Sequence, residues 1–106
     1  MSNLVKVAAV ADLESGKCTV VSADGKSIAL VNVEGTFYAL DNTCPHMGGP
    51  LGRGFVDGDI LMCPLHGWPF DVKTGESPMM QGLKTGCYEC VVEGEDVFVN
   101  LEECSH

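Results

Sequence analysis

The chain has 106 residues, room for one compact core and not for a second domain. Fifteen acidic against six basic side chains give a formal net charge of −9, which excludes a protein that holds a phosphate backbone. No stretch approaches the roughly 18 uninterrupted apolar residues of a membrane span, and the opening Met1 to Lys6 lacks the charged-then-apolar layout of a signal peptide, so a cytoplasmic protein with no membrane partner is expected.

In chain order, short runs rich in β-branched and aromatic residues predict strands over residues 4–11, 18–22, 27–33, 37–42, 59–62, 85–92 and 97–101. Turn signals separate them. Ala23-Asp24-Gly25-Lys26, Glu34-Gly35 and Glu93-Gly94-Glu95 each read as a tight hairpin connection. Alternation is cleanest at the end, where Val97, Val99 and Leu101 share one face and Asp96, Phe98 and Asn100 the other. No segment keeps a helical period, so the fold class is all-β. The thirteen Gly and five Pro concentrate between residues 45 and 82 and mark an irregular insertion among the strands.

That insertion carries the chemistry. Cys44-Pro45-His46 and Cys63-Pro64-Leu65-His66 are matched doublets, C-x-H then C-x-x-H, with sixteen residues between His46 and Cys63. The chain must fold back to bring two loop tips to one metal centre. Two Cys and two His suit a tetrahedral structural zinc, and they equally suit a two-iron, two-sulfide cluster in which thiolates hold one iron and imidazoles the other. The ligand types alone do not choose between them. Their order does: zinc fingers place both Cys before both His, whereas each doublet here offers one sulfur and one nitrogen from a loop flanked by Gly and Pro. Each loop can therefore supply a Cys to one iron and a His to the other.

The segments Cys44 to Leu51 (CPHMGGPL) and Cys63 to Phe70 (CPLHGWPF) resemble the cluster-binding motif of the Rieske iron–sulfur family. The likeness continues through Gly52-Arg53-Gly54, Asp71 to Gly75, Leu83-Lys84-Thr85 and Val97 to Leu101. It implies a single Rieske domain over residues 1–106, a small antiparallel β-sandwich with a cluster-binding subdomain inserted from about residue 43 to 70. It also implies a [2Fe-2S] cofactor, with Cys44 and Cys63 on the iron that stays ferric and His46 and His66 on the iron that takes the electron. Short stand-alone members of the family serve multicomponent ring-hydroxylating dioxygenases, so the implied partners are a flavin-dependent reductase and a terminal oxygenase. Two other readings are a small Rieske subunit of an assimilatory nitrite reductase and a zinc-stabilised interaction module.

Departures from the family pattern narrow the expectation. High-potential members carry an extra Cys in each loop, where this chain has Gly49 and Leu65, and hydroxyl-bearing residues where it has Trp68 and Phe70. Without those donors the reduced, more negative cluster is less stabilised, so a potential on the order of −150 mV is expected. Gly48, Gly49, Gly52, Gly54 and Gly67 are expected to let the backbone turn tightly and aim N–H groups at sulfur. Met47, Leu51, Leu65 and Trp68 are candidates to keep water out, and the segment around Pro78 corresponds to a loop that covers the cluster in the family.

The remaining Cys18, Cys87, Cys90 and Cys104 form no disulfide framework. In a strand, Cys87 and Cys90 point to opposite faces and do not converge on one ion. Once the cluster is served, His106 is the one histidine left, too few for a mononuclear iron site, and Gly52-Arg53-Gly54 lacks the rest of a dinucleotide fingerprint. A chain with neither oxygenase nor reductase machinery is expected to carry electrons and not to be an enzyme.

Overall fold

A computed structural model describes residues 4–42, 50–64, 67–78 and 85–103. Its strands are β1 (Leu4–Ala9), β2 (Lys17–Ala23), β3 (Lys26–Val33), β4 (Thr36–Asp41), β5 (Phe55–Asp57), β6 (Ile60–Met62), β7 (Pro69–Asp71), β8 (Cys87–Glu93) and β9 (Asp96–Glu103). They form a six-stranded sheet in the order β1-β9-β8-β4-β3-β2 and a three-stranded sheet in the order β5-β6-β7. Every ladder is antiparallel. The expected all-β, antiparallel architecture is what the chain adopts.

The turn chemistry explains the register of the large sheet. Ala23 pairs with Lys26 and Val33 with Thr36, leaving two-residue loops. Asp24 and Glu34 both take φ of 51° ahead of a glycine, the conformation whose twist matches that of the flanking strands. The second turn is also held by side chains: the N–H of Glu34 donates to Ser15 Oγ at 3.0 Å and that of Gly35 to Asn32 Oδ1 at 2.8 Å. Asn32 is itself buried, and its side-chain amide donates to the carbonyl of Leu13 at 2.8 Å, so its polar atoms are satisfied.

The large sheet rolls until its two edges share a core. Val7 of β1 and Val21 of β2 pack against the same buried groups, one built on Ile28, Ala39 and Val99, the other on Leu30, Phe37 and Val97. A second apolar layer lies between the rolled sheet and the small one. Ala29, Val31 and Leu40 enter it from β3 and β4; Leu61, Phe70, Val72, Cys63 and Leu51 enter it from the other side. Strand β3 is thus buried on both faces, which is why Ile28-Ala29-Leu30-Val31 reads as a continuous apolar run and not as an alternation.

The structure departs from the expected strands in three places. β1 ends at Ala9 because Val10–Asp12 forms a 3-10 turn, in which the Ala9 N–H donates to the Asp12 carboxylate at 3.0 Å. β8 begins at Cys87 and not at Thr85, because the Thr85 N–H donates to the Gly75 carbonyl at 2.8 Å and its hydroxyl to the Asp41 carbonyl at 3.3 Å. Strands β5 and β7, three residues each, are not among the expected strands.

Gly52 and Gly54 have a different purpose from the one expected. Both are sites of close approach. A Cβ on Gly52 would stand 2.6 Å from Val20 Cγ2, and one on Gly54 would collide with the carbonyl oxygen of Met62. Replacing Gly54 by Ala is expected to push β5 away from β6 and to destabilise the fold by about 1–3 kcal/mol, seen as a lower thermal midpoint; an unchanged midpoint would show that the two strands are free to separate.

Candidate metal centre

The second doublet is built on the β6–β7 hairpin. Beyond the paired residues Met62 and Pro69, the Cys63 N–H donates to the Trp68 carbonyl at 2.8 Å, and the Gly67 N–H returns to the Cys63 carbonyl at 3.1 Å. These bonds close a loop over residues 64–67, and Gly67 takes φ of 69° to complete it. Cys63 therefore sits at the tip of the β6–β7 hairpin. The Cys63 side chain is 1% exposed and belongs to the apolar layer with Leu61, Phe70 and Val72, against which Trp68 also packs.

The first doublet is delimited with the same economy. The chain leaves β4 at Asn42 and re-enters at Pro50, followed by a 3-10 turn over Leu51–Arg53. Asn42 grips the far end twice: its carbonyl accepts from the Leu51 N–H at 2.7 Å, and its side-chain oxygen accepts from the Gly52 N–H at 2.8 Å. The segment that holds Cys44 and His46 is thus pinned at its base. Leu51 is fully buried in the same apolar layer as Cys63. The segments on which the two doublets were expected are rooted in one piece of core.

Of the four expected ligands, Cys63 is among the described residues; Cys44, His46 and His66 lie outside them, as do Met47, Gly48, Gly49 and Leu65. The donor chemistry fits a [2Fe-2S] group. A thiol sealed at a hairpin tip, against aliphatic and aromatic side chains, gives a soft ligand in a place with little access for water. Among the described residues no group of three or more His, Cys, Asp or Glu side chains converges to make a rival metal site.

Neighbouring residues fall into place around it. Phe70 is fully buried, pointing into the layer beneath Cys63, so its ring contributes apolar packing where high-potential members of the family place a hydroxyl. Pro78 is exposed, and the loop that follows it is outside the described residues. Cys18 is engaged by backbone: its thiol donates to the Gly54 carbonyl at 3.3 Å, and burial pushes its pKa up against the opposing effect of Lys17. Cys90 packs against the core of the roll, as a small hydrophobe does. Thr85, with its bonds to Gly75 and Asp41, ties the segment after β7 to the end of β4.

Asn42 stands in the sequence as the end of an expected strand, and Thr85 as the start of one and as part of the family likeness; neither one's hydrogen bonds are foreshadowed there. An Asn at the end of a strand before a loop is a weak local signal for side-chain-to-backbone bonding. The Gly52 partner ten residues away has no local signal.

Residues 3–89 match the Rieske [2Fe-2S] domain. The ferredoxin component of a naphthalene 1,2-dioxygenase system from Pseudomonas aeruginosa is 37% identical over 100 residues, covering 92% of this chain and 94% of that protein. A solved complex of reduced oxygenase and oxidised ferredoxin in carbazole 1,9a-dioxygenase contains a chain that superposes with a TM-score of 0.86 at 31% identity, over the whole of both chains. A putative NADH-dependent nitrite reductase small subunit from Mycobacterium tuberculosis superposes with a TM-score of 0.87 over 93% of this chain and 95% of that one, at 20% identity, a likeness of fold.

The chain belongs to the Rieske [2Fe-2S] domain family, and the [2Fe-2S] cluster is its cofactor. Its relatives are named as ferredoxin components, electron-transfer parts of their systems and not the catalysts. Among the described residues no helix is long and apolar enough to cross a membrane.

Replacing Asn42 by Ala leaves the buried Gly52 N–H without its acceptor, at a cost of about 1–3 kcal/mol. The expected result is a lower thermal midpoint together with less iron retained per chain. Asn42→Asp keeps an acceptor oxygen in place and is expected to restore both; equal losses in the two variants would mean that the clamp does not act through this hydrogen bond.

Proposed function

We propose that the chain is a one-electron carrier in which Cys44 and Cys63 bind one iron of the [2Fe-2S] cluster and His46 and His66 the other. A flavin-dependent reductase supplies the electron and the terminal oxygenase of a ring-hydroxylating dioxygenase system takes it, in the cytoplasm. The observation that carries this reading is the sealed thiol of Cys63 at a closed hairpin tip, sharing its apolar layer with Leu51 at the base of the other ligand segment. Residues 43–70 act as the cluster-binding subdomain inserted between β4 and β8. The ferredoxin relatives, matched along nearly their whole length, support this setting over a nitrite reductase subunit, whose likeness is one of fold.

When bound, the cluster takes up and returns a single electron. The chain's own residues hold it, shield it and set its potential. Two thiolates and two neutral imidazoles place fewer negative charges on the irons than four thiolates do, so reduction is easier than in an all-Cys cluster. The Cys63 side is walled by Leu61, Phe70 and Trp68, and of these Leu61 and Phe70 carry no polar group to stabilise added negative charge, which favours the less charged, oxidised form.

The purified protein is expected to contain iron and no zinc, to give a rhombic EPR signal on dithionite reduction, and to titrate on the order of −150 mV. Zinc in place of iron, or a clearly positive potential, would overturn the assignment or the account of its tuning. His46→Cys and His66→Cys each add a thiolate and are expected to lower the potential toward the roughly −400 mV of all-Cys clusters. A variant whose potential does not fall identifies a histidine that is not a ligand. Cys63→Ser is expected to lose the cluster, read as loss of visible absorption and iron.

A further inference from the structure

The small sheet has two unlike faces. Val56, Leu61 and Phe70 turn inward to the apolar layer. The opposite face carries two rows across the strands, fixed by register: Phe55, Met62 and Pro69 in one, Asp57, Ile60 and Asp71 in the next. The first row is apolar and adjoins the cluster end, since Met62 precedes Cys63 and Pro69 follows Trp68. Phe55 in that row is 68% exposed, a large aromatic side chain facing solvent. Adjacent strands lie about 4.8 Å apart, so the row extends about 10 Å beside the hairpin tip.

The second row is acidic at both ends. Asp59, in the turn between β5 and β6, is ion-paired with Lys73 at 3.3 Å and holds that ammonium above its usual pKa. Three carboxylates, Asp57, Asp59 and Asp71, less the one ammonium of Lys73, leave this corner a formal charge of −2. An apolar row with an exposed aromatic at one end, bordered by carboxylates and next to a redox centre, has the composition of a contact patch with a hot-spot residue.

We propose that the outer face of the β5-β6-β7 sheet docks a redox-partner protein whose contact patch has an apolar centre ringed by lysine or arginine side chains. Phe55 enters the apolar centre, and Asp57 and Asp71 meet the basic ring. The carboxylates steer the encounter, while the apolar row holds the complex with the cluster end facing the partner. The inference rests on the electron-carrier function above and adds to it the face that is used and the chemistry of the surface that meets it.

The test uses the holoprotein with cytochrome c as the probe, an electron acceptor with a basic surface. In stopped flow, one electron passes from the dithionite-reduced protein to each ferric haem, which becomes ferrous, and the second-order rate is read at low and high ionic strength. Asp57→Asn with Asp71→Asn is expected to slow the reaction roughly three- to tenfold at low salt, the difference closing at high salt as screening removes it. Phe55→Ser is expected to slow it roughly threefold or more at both. The control is Glu93→Gln with Glu95→Gln, which removes the same charge from the β8–β9 turn. Because Cys87 pairs with Leu40, that turn lies at the end of β8 away from Asn42.

Iron content, visible spectrum and potential measured on each variant separate docking from damage to the cluster. Equal slowing in the control, or no slowing in the Asp and Phe55 variants, would overturn the docking face while leaving the carrier function intact. An iron-free wild-type chain would overturn both.

Discussion

Everything at the redox end depends on the apolar layer between the two sheets. Ala29, Val31 and Leu40 form its floor, and Leu51, Leu61, Cys63, Phe70 and Val72 settle on it from segments that share little backbone hydrogen bonding with the large sheet. A three-stranded sheet of three-residue strands has too few ladder bonds to stand alone. Burying side chains such as Leu61 and Phe70 contributes about 1.5–3 kcal/mol each, enough to fix the sheet's position where its own hydrogen bonds are not. Since Leu51 and Cys63 are members of the same layer, the burial that fixes the small sheet also brings together the end of the first doublet's segment and the start of the second's.

Hydrogen bonds then refine what burial places. Asn42 closes the first ligand segment with its carbonyl and its side chain at once, and the Cys63–Trp68 and Gly67–Cys63 bonds close the second. Thr85 draws the chain beyond β7 back to Asp41 and Gly75. These contacts sit at the ends of the loops and are made by backbone groups and by the side chains of Asn42 and Thr85.

How legible this was in the sequence depends on how local each cause is. The hairpins at Asp24-Gly25 and Glu34-Gly35 were readable because both positive-φ residues lie within two positions of each other. The buried face of β9 was readable for Val97 and Val99, which alternate as a half-buried strand does and are fully buried. The doublets were readable because Cys and His at that spacing have few other uses. Strands β5 and β7 were not, since three residues carry no period, and β7 begins with a proline. The role of Gly52 and Gly54 is hidden in the sequence for a related reason. A glycine required by a neighbour's carbonyl looks the same in sequence as one required by a turn, and the neighbours here, Val20 and Met62, are set by tertiary packing.

The same layer also sets the surroundings of Cys63. Reduction adds negative charge to the cluster, and a surrounding with donors stabilises that charge while an apolar one does not. Phe70 could in principle be exchanged for a donor-bearing residue without changing the strand, but its side chain is wholly enclosed with Leu61 and Val72, at the centre of the packing that holds β6 and β7. A hydroxyl there would have to find a partner or cost about 1–3 kcal/mol as a buried unsatisfied group. Stability and donor chemistry therefore meet at one position: the aromatic side chain that secures the small sheet to its floor fills that space with packing and carries no hydroxyl.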